Sequence, residues 1–212
     1  MNKLIAISMR VIENSTYIEK RDCISFEMIS FLEKIDINTI LIPNSIKNIK
    51  KYLKNFDIDG LILNTGNNVC PSRYENSEIL NDSYSERDIT EEALLDYSIK
   101  RKIPILGLCR GFQFINVYFG GSIKHAIVNH VNVDHQLISN QYNLNNKTIK
   151  CYHNQGIKKE NLGKSLEIVA MSRDGYVEAF ENKNLKVLGL QWHPEREHHQ
   201  FNVNIIKNHF SL

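Results

Sequence analysis

Nothing in the 212 residues approaches the roughly 18 uninterrupted apolar positions that a membrane-spanning helix needs. The opening run from Met1 to Arg10 is too short and lacks the small-residue cleavage site of a signal peptide. Glycine (10) and proline (4) are too scarce for a collagen-like or low-complexity chain. No Gly-x-Gly-x-x-Gly and no glycine-rich Lys-Ser/Thr loop is present, so no nucleotide-cofactor fingerprint exists and no cofactor is expected. Charge of one sign is also lacking: 26 Lys and Arg against 24 Asp and Glu leave +2, evenly spread. That balance argues against nucleic acid or an anionic membrane as the main partner. The four cysteines (Cys23, Cys70, Cys109, Cys151) form no C-x-x-C pair, and the expectation is four reduced thiols in a cytoplasmic protein.

What is there reads as an ordinary globular chain. Hydrophobic residues make up 42%, which excludes disorder. A chain of this length buries roughly 70% of its unfolded surface and needs no metal or disulfide to fold. With no repeat, linker or charge block, one domain over residues 1–212 is expected.

Short apolar runs alternate with amphipathic ones through residue 120. Strands are predicted at Leu4–Met9, Ile37–Ile42, Ile58–Leu63 and Ile103–Leu108. Helices are predicted at Ile24–Ile35, Ile46–Phe56, Ile89–Lys100 and Gly111–Phe119, and a polar loop runs from Asn64 to about Glu86. That alternation predicts an α/β fold with a mainly parallel sheet flanked by helices. After Gly120-Gly121 the texture changes to short strand-like runs, at Ser122–His125, His130–Ile138, Thr148–Tyr152, Leu166–Met171, Val177–Glu181 and Lys186–Trp192. These predict a smaller antiparallel hairpin region, and a last helix covers Phe201–Phe210.

The sharpest signal is Ile105-Leu-Gly-Leu-Cys109-Arg-Gly-Phe-Gln113, an apolar strand that enters Gly-x-Cys-x-Gly and leaves as an apolar helix. This is the thiol form of a nucleophile elbow, in which a tight turn lifts the nucleophile above the sheet. Side chains at 107 and 111 would collide with the neighbouring strand and helix. The helix start aims N–H groups and its positive end at the sulfur, which lowers a thiol pKa. A buried cysteine at a strand end is the plain alternative.

A thiol nucleophile needs a base from elsewhere in the chain. Val187-Leu-Gly-Leu-Gln-Trp-His193-Pro-Glu195 is a second strand that ends in a histidine. Parallel strands gather reactive groups at their C-terminal ends, so Cys109 and His193 can meet there. Glu195 can accept the other imidazole N–H and fix the ring, as in a triad. His125, His130 and His135 recur every five residues, which fits neither a helical metal pair nor one strand face, so zinc is not expected. His198 and His199 read as a helix-start surface.

Two loops complete a pocket. Gly66, after the third predicted strand, can bring a backbone N–H to an oxyanion, although a plain turn explains it equally. The run Cys151-Tyr-His153-Asn154-Gln155-Gly156 carries donors and acceptors suited to an amino-acid head group, or is an ordinary polar turn.

Taken in order, these segments resemble the class I glutamine amidotransferase superfamily, and within it the γ-glutamyl-γ-aminobutyrate hydrolases, the C26 peptidases. The residues that carry the likeness are Asn64–Tyr74, Arg87-Asp88 with Glu91, Leu108–Gln113, Gly120-Gly121, Tyr152–Gln155, Asp174-Gly175 with Glu178-Ala179, and Gln191–Glu195. The resemblance implies Cys109 as nucleophile, His193 as base and acid, and Glu195 as its orienter. It further implies that backbone N–H groups of Gly66 and Arg110 hold the oxyanion. Gln113, His153, Asn154 and Gln155 would then face the glutamyl head group. Thr65 and Asn68 depart from the glycine and aspartate of the family loop, on the leaving-group side. The implied reaction is hydrolysis of a γ-glutamyl amide through a thioester, on a small-molecule substrate. A γ-glutamyl nucleotide amidate of capsule phosphoramidate synthesis is one candidate, with Arg73 and the basic stretch around Lys47–Lys54 suited to its pyrophosphate, although a solvated helix face explains the lysines equally well. The alternative is a glutaminase subunit that delivers ammonia to a separate synthetase.

Overall fold

The computed structural model describes residues 3–74 and 80–212. Residues 1–2 and the middle of the predicted 64–86 loop, residues 75–79, lie outside them. Among the described residues no helix is long and apolar enough to cross a membrane.

The described residues build a ten-stranded sheet. Its parallel half consists of β1 (Lys3–Ser8), β4 (Ile37–Ile42), β5 (Gly60–Leu63), β6 (Ile105–Leu108) and β12 (Val187–Leu190). The other half contains β7 (Val131–Ser139), β8 (Thr148–Tyr152), β9 (Ile157–Lys158), β10 (Glu167–Ser172) and β11 (Tyr176–Asn182). The order is β4-β1-β5-β6-β12-β11-β10-β7-β8, with β9 beside β11. Pairing is parallel from β4 to β12 and antiparallel from β12 to β8. The last strand in sequence therefore inserts at the centre, beside the strand that carries the elbow.

Alternation along the parallel strands supplies both faces. Ile5, Ile7, Ile62, Leu106 and Leu108 pack with α1 (Phe26–Lys34) and α5 (Gln200–Phe210). Ala6, Leu61, Leu63 and Ile105 pack with α2 (Ile49–Leu53), α3 (Ser85–Arg101) and α4 (Arg110–Tyr118). Both faces being covered explains the continuous apolar runs of these strands.

Four features differ from the sequence expectation. The predicted strand at Ser122–His125 is reduced to one bridge, between Lys124 and Gly156; the Ser122 N–H goes instead to Asn161 O at 3.0 Å and its carbonyl accepts from Asn116 at 3.0 Å. The predicted helix Ile46–Phe56 starts only at Ile49, where the Asn48 side chain accepts the Lys51 N–H at 2.9 Å and caps it. Helix α3 begins at Ser85, four residues early, because its first turn buries Arg87 and Asp88 rather than apolar groups. A hairpin of β2 (Arg10–Glu13) with β3 (Lys20–Cys23) has no apolar pattern strong enough to announce it.

Candidate active site

Strands β5, β6 and β12 lie side by side, with Leu63 paired to Gly107 and Leu190 to Leu108. Their C-terminal ends deliver Asn64–Gly66, Cys109 and Gln191–His193 to one edge of the sheet. Cys109 caps α4 with φ 49° and ψ −100°, a positive-φ conformation that costs a non-glycine residue about 1–3 kcal/mol. Its N–H donates to Leu190 O at 2.8 Å, which ties the elbow to the neighbouring strand. A Cβ on Gly111 would sit 2.0 Å from Leu63 O, so only glycine lets α4 start this close to β5.

The imidazole of His193 and the Cys109 thiol share the floor of one hollow, close enough for each to act on the other's charge, and Gln191 Nε2 approaches the sulfur at 3.9 Å. His193 Nδ1 lies 2.7 Å from Glu195 Oε1, with both residues buried. A carboxylate only accepts, so Nδ1 carries the hydrogen and Nε2 is left for the sulfur. Burial alone would raise the Cys109 pKa; the charges of His193 and His153 overcome it, and the thiol is held below its usual value. Burial likewise opposes charge on His193, but the Cys109 thiolate and Glu195 outweigh it and raise its pKa. The two shifts describe one thiolate–imidazolium pair.

A cleft of about 270 Å³ opens over this pair. Of the residues singled out in the sequence, Gly66, Cys109, Arg110, Gln113, His153, Asn154, Gln155 and His193 line it. Gly66 has φ +79°, and Arg110 opens α4, where backbone N–H groups have no helical partner. Both residues line the cleft together with Cys109. Gln113 Nε2 reaches Gln191 Oε1 at 3.5 Å and Gln155 O at 3.4 Å, and Gln155 Nε2 donates to Asn68 at 2.9 Å. The two departures from the family loop, Thr65 and Asn68, both lie on the cleft wall.

Arg73 does not line the cleft. Its guanidinium pairs with Glu92 at 2.8 Å and Asp88 at 3.5 Å and borders a separate hollow with Phe114 and Tyr118. Its place is taken by two arginines that sequence reasoning missed, Arg10 on β2 and Arg196 after the triad, both on the cleft wall. Arg196 lies over the Tyr152 ring, 4.4 Å from its centroid. The signal for Arg196 was its position next to Glu195; Arg10 had none, since its hairpin was not anticipated.

Beneath the cleft lies a buried ionic cluster. Arg87 donates to the carbonyls of Asn64, Thr65 and Gly66, to Asn67 Oδ1 at 3.0 Å, and to Glu91 at 2.9 Å. The Arg110 side chain pairs with Asp88 and Glu91. Ser8 donates to Glu91 at 2.8 Å and accepts the Asn64 N–H at 3.0 Å. Two cations face two anions, and together they clamp the 64–67 loop against the elbow. The Arg-Asp-x-x-Glu pattern signalled these residues, but not that their charges are buried.

Behind the opposite wall, His130, Cys151, His153 and Glu178 are all buried and bring their polar atoms together.

Residues 3–143 and 128–195 match the family model described as Peptidase C26. The chain is 32% identical over 209 residues to the γ-glutamyl-CDP-amidate hydrolase of Campylobacter jejuni, a match that covers 98% of each. It is 37% identical over 160 residues to a Schizosaccharomyces pombe protein described as a glutamine amidotransferase, covering 66% of this chain and 62% of that protein's length. A solved structure from Thermoplasma acidophilum, described as one component of a GMP synthase, superimposes with a TM-score of 0.70 at 22% identity. It covers 100% of this chain and 94% of its own, which establishes the shared fold. Sheet order, elbow and family match agree: the chain belongs to the peptidase C26 family of class I glutamine amidotransferase-like hydrolases.

Proposed function

We propose that the protein hydrolyses a γ-glutamyl amide through a γ-glutamyl thioester on Cys109. The observation that carries this reading is the Cys109 elbow beside a His193 that Glu195 orients, both lining one open cleft. The thiolate attacks the γ-carbonyl, and the N–H groups of Gly66 and Arg110 receive the developing oxyanion. His193 gives its proton to the departing amine as the C–N bond breaks. His193 then takes a proton from water, the hydroxide attacks the thioester, and glutamate leaves as Cys109 regains its charge. Gln113 and the 153–155 segment hold the amino-acid end; both ring nitrogens of His153 are turned to protein groups, so that residue contributes by shape and charge.

For the leaving group we favour an anionic amine, the nucleotide amidate of γ-glutamyl-CDP-amidate in capsule phosphoramidate synthesis. Full-length similarity to a hydrolase of that substrate supports it, as do the guanidiniums of Arg10 and Arg196 on the cleft wall. The test is glutamate release from glutamine, γ-glutamyl-γ-aminobutyrate, γ-glutamyl peptides and γ-glutamyl-CDP-amidate, by the wild type and Cys109→Ala. Release from the amidate, abolished in the variant, is expected. Release from glutamine alone, or only when a synthetase is added, would replace this reading with that of an ammonia-delivering subunit.

A further inference from the structure

The wall beneath the Tyr152–Gln155 segment has a second cluster, which shares only His153 with the cleft. Its members come from three places in the antiparallel half: His130 just before β7, Cys151 in β8 with His153 just after it, and Glu178 in β11. One ligand-type atom from each lies within 4.8 Å of every other, and all four residues are buried.

The hydrogen bonds fix which atoms point inward. His130 Nε2 meets the Asp174 carboxylate at 2.8 Å, so the hydrogen is on Nε2. That leaves the Nδ1 lone pair facing Glu178 Oε1 at 3.7 Å. His153 Nδ1 donates to Gln155 O at 2.8 Å, which turns Nε2 toward Glu178 Oε2 at 3.7 Å. His130 Nδ1, His153 Nε2 and both Glu178 oxygens have no hydrogen-bond partner although fully enclosed. The His130 Nδ1 lone pair thus confronts a Glu178 carboxylate oxygen in a buried space, an arrangement that costs free energy unless something positive sits between them.

We propose that His130, Cys151, His153 and Glu178 form a tetrahedral binding site for a divalent, zinc-type metal ion. The donor set is two imidazoles, a thiolate and a carboxylate, the mixture that zinc accepts. Tetrahedral zinc places its ligand atoms roughly 3.3–3.8 Å apart; each histidine nitrogen already lies 3.7 Å from one of the two Glu178 oxygens, and a small carboxylate rotation would present a single oxygen to both. The outer contacts match as well: each ligating histidine donates its other N–H, one to a carboxylate and one to a backbone carbonyl, the usual support of metal-bound imidazole. A 2+ ion with one thiolate and one carboxylate is neutral overall, which suits a buried site. Binding breaks the Cys151 S–H bond, forms the metal–sulfur bond and releases one proton to solvent. The ion would pin β7, β8 and β11 together behind the cleft wall. No regular spacing announces this set, because its ligands are spread over three separate strands.

The test is cobalt(II) titration of the chelator-treated full-length protein, followed by zinc competition. One equivalent is expected, with tetrahedral d–d bands and a thiolate-to-cobalt charge-transfer band that zinc abolishes. Cys109→Ala keeps both bands. Cys151→Ser loses the charge-transfer band and weakens binding by about 100-fold or more. Asp174→Asn, at a partly exposed position that leaves the core intact, weakens cobalt binding about 10-fold or more. The proposal is overturned if the wild type takes up no cobalt, the acceptors then sharing protons only. It is equally overturned if the charge-transfer band survives Cys151→Ser and disappears in Cys109→Ala, which would put the metal on the catalytic thiol.

Discussion

In the parallel half of the sheet, β5, β6 and β12 end together and bring Gly66, Cys109 and His193 into reach by backbone register alone. In the antiparallel half, β7, β8 and β11 build the opposite wall from side chains that face one another, among them His130, His153 and Glu178. The first half places reactive groups at strand ends, where water and substrate can enter. The second buries its polar groups and presents to the cleft mainly Tyr152 and the 153–155 segment. On the proposed reading, bond-making rests on the parallel half while part of the substrate contact rests on the antiparallel half, and substitutions in the two halves should separate accordingly.

The largest effect belongs to the parallel half. Cys109→Ala should lower kcat by about 10⁴-fold or more, measured as glutamate release, with the fold intact by circular dichroism. Glu195→Gln keeps the shape but removes the acceptor that fixes the His193 tautomer. It should lower kcat about 10³-fold while KM moves little. Glu91→Gln breaks the cluster under the loop and leaves Arg87 and Arg110 short of charge. A destabilisation of about 3–5 kcal/mol is expected from urea unfolding.

Alkylation kinetics sharpen the same point. Because His193 lowers the Cys109 pKa, iodoacetamide reactivity should persist below the range of an ordinary thiol, whose midpoint is about 8.5. It should fall only as acid protonates the sulfur. His193→Ala should move that midpoint upward by about one unit or more, since the stabilising cation is gone. At the alkaline end the raised pKa of His193 keeps its proton available for the leaving amine, and kcat should decline only when that proton is lost. The smallest effect lies on the rim: Arg196→Ala should raise KM about 10-fold for an anionic leaving group and leave glutamine turnover unchanged.

The elbow was legible because three local signals coincide there: an apolar strand, two glycines at a close approach, and an apolar helix. His193 and Glu195 were legible as a strand end for the same reason. The burial of the α3 charges was not, since the spacing of Arg87, Asp88 and Glu91 says nothing of the Gly66, Arg110 and Ser8 groups that enclose them. Arg10 was missed with its hairpin. Arg73 was misplaced because its loop position says nothing about Glu92, which holds it away from the cleft.

The central claim is a thioester at Cys109. Rapid acid quench of the enzyme with a slowly hydrolysed γ-glutamyl amide, followed by peptide mass spectrometry, tests it directly. A single γ-glutamyl group on the peptide that contains Cys109, absent in Cys109→Ala and lost on hydroxylamine treatment, is the predicted result. An adduct on Cys70 or Cys23 instead, or glutamate release that continues undiminished in Cys109→Ala, would contradict it.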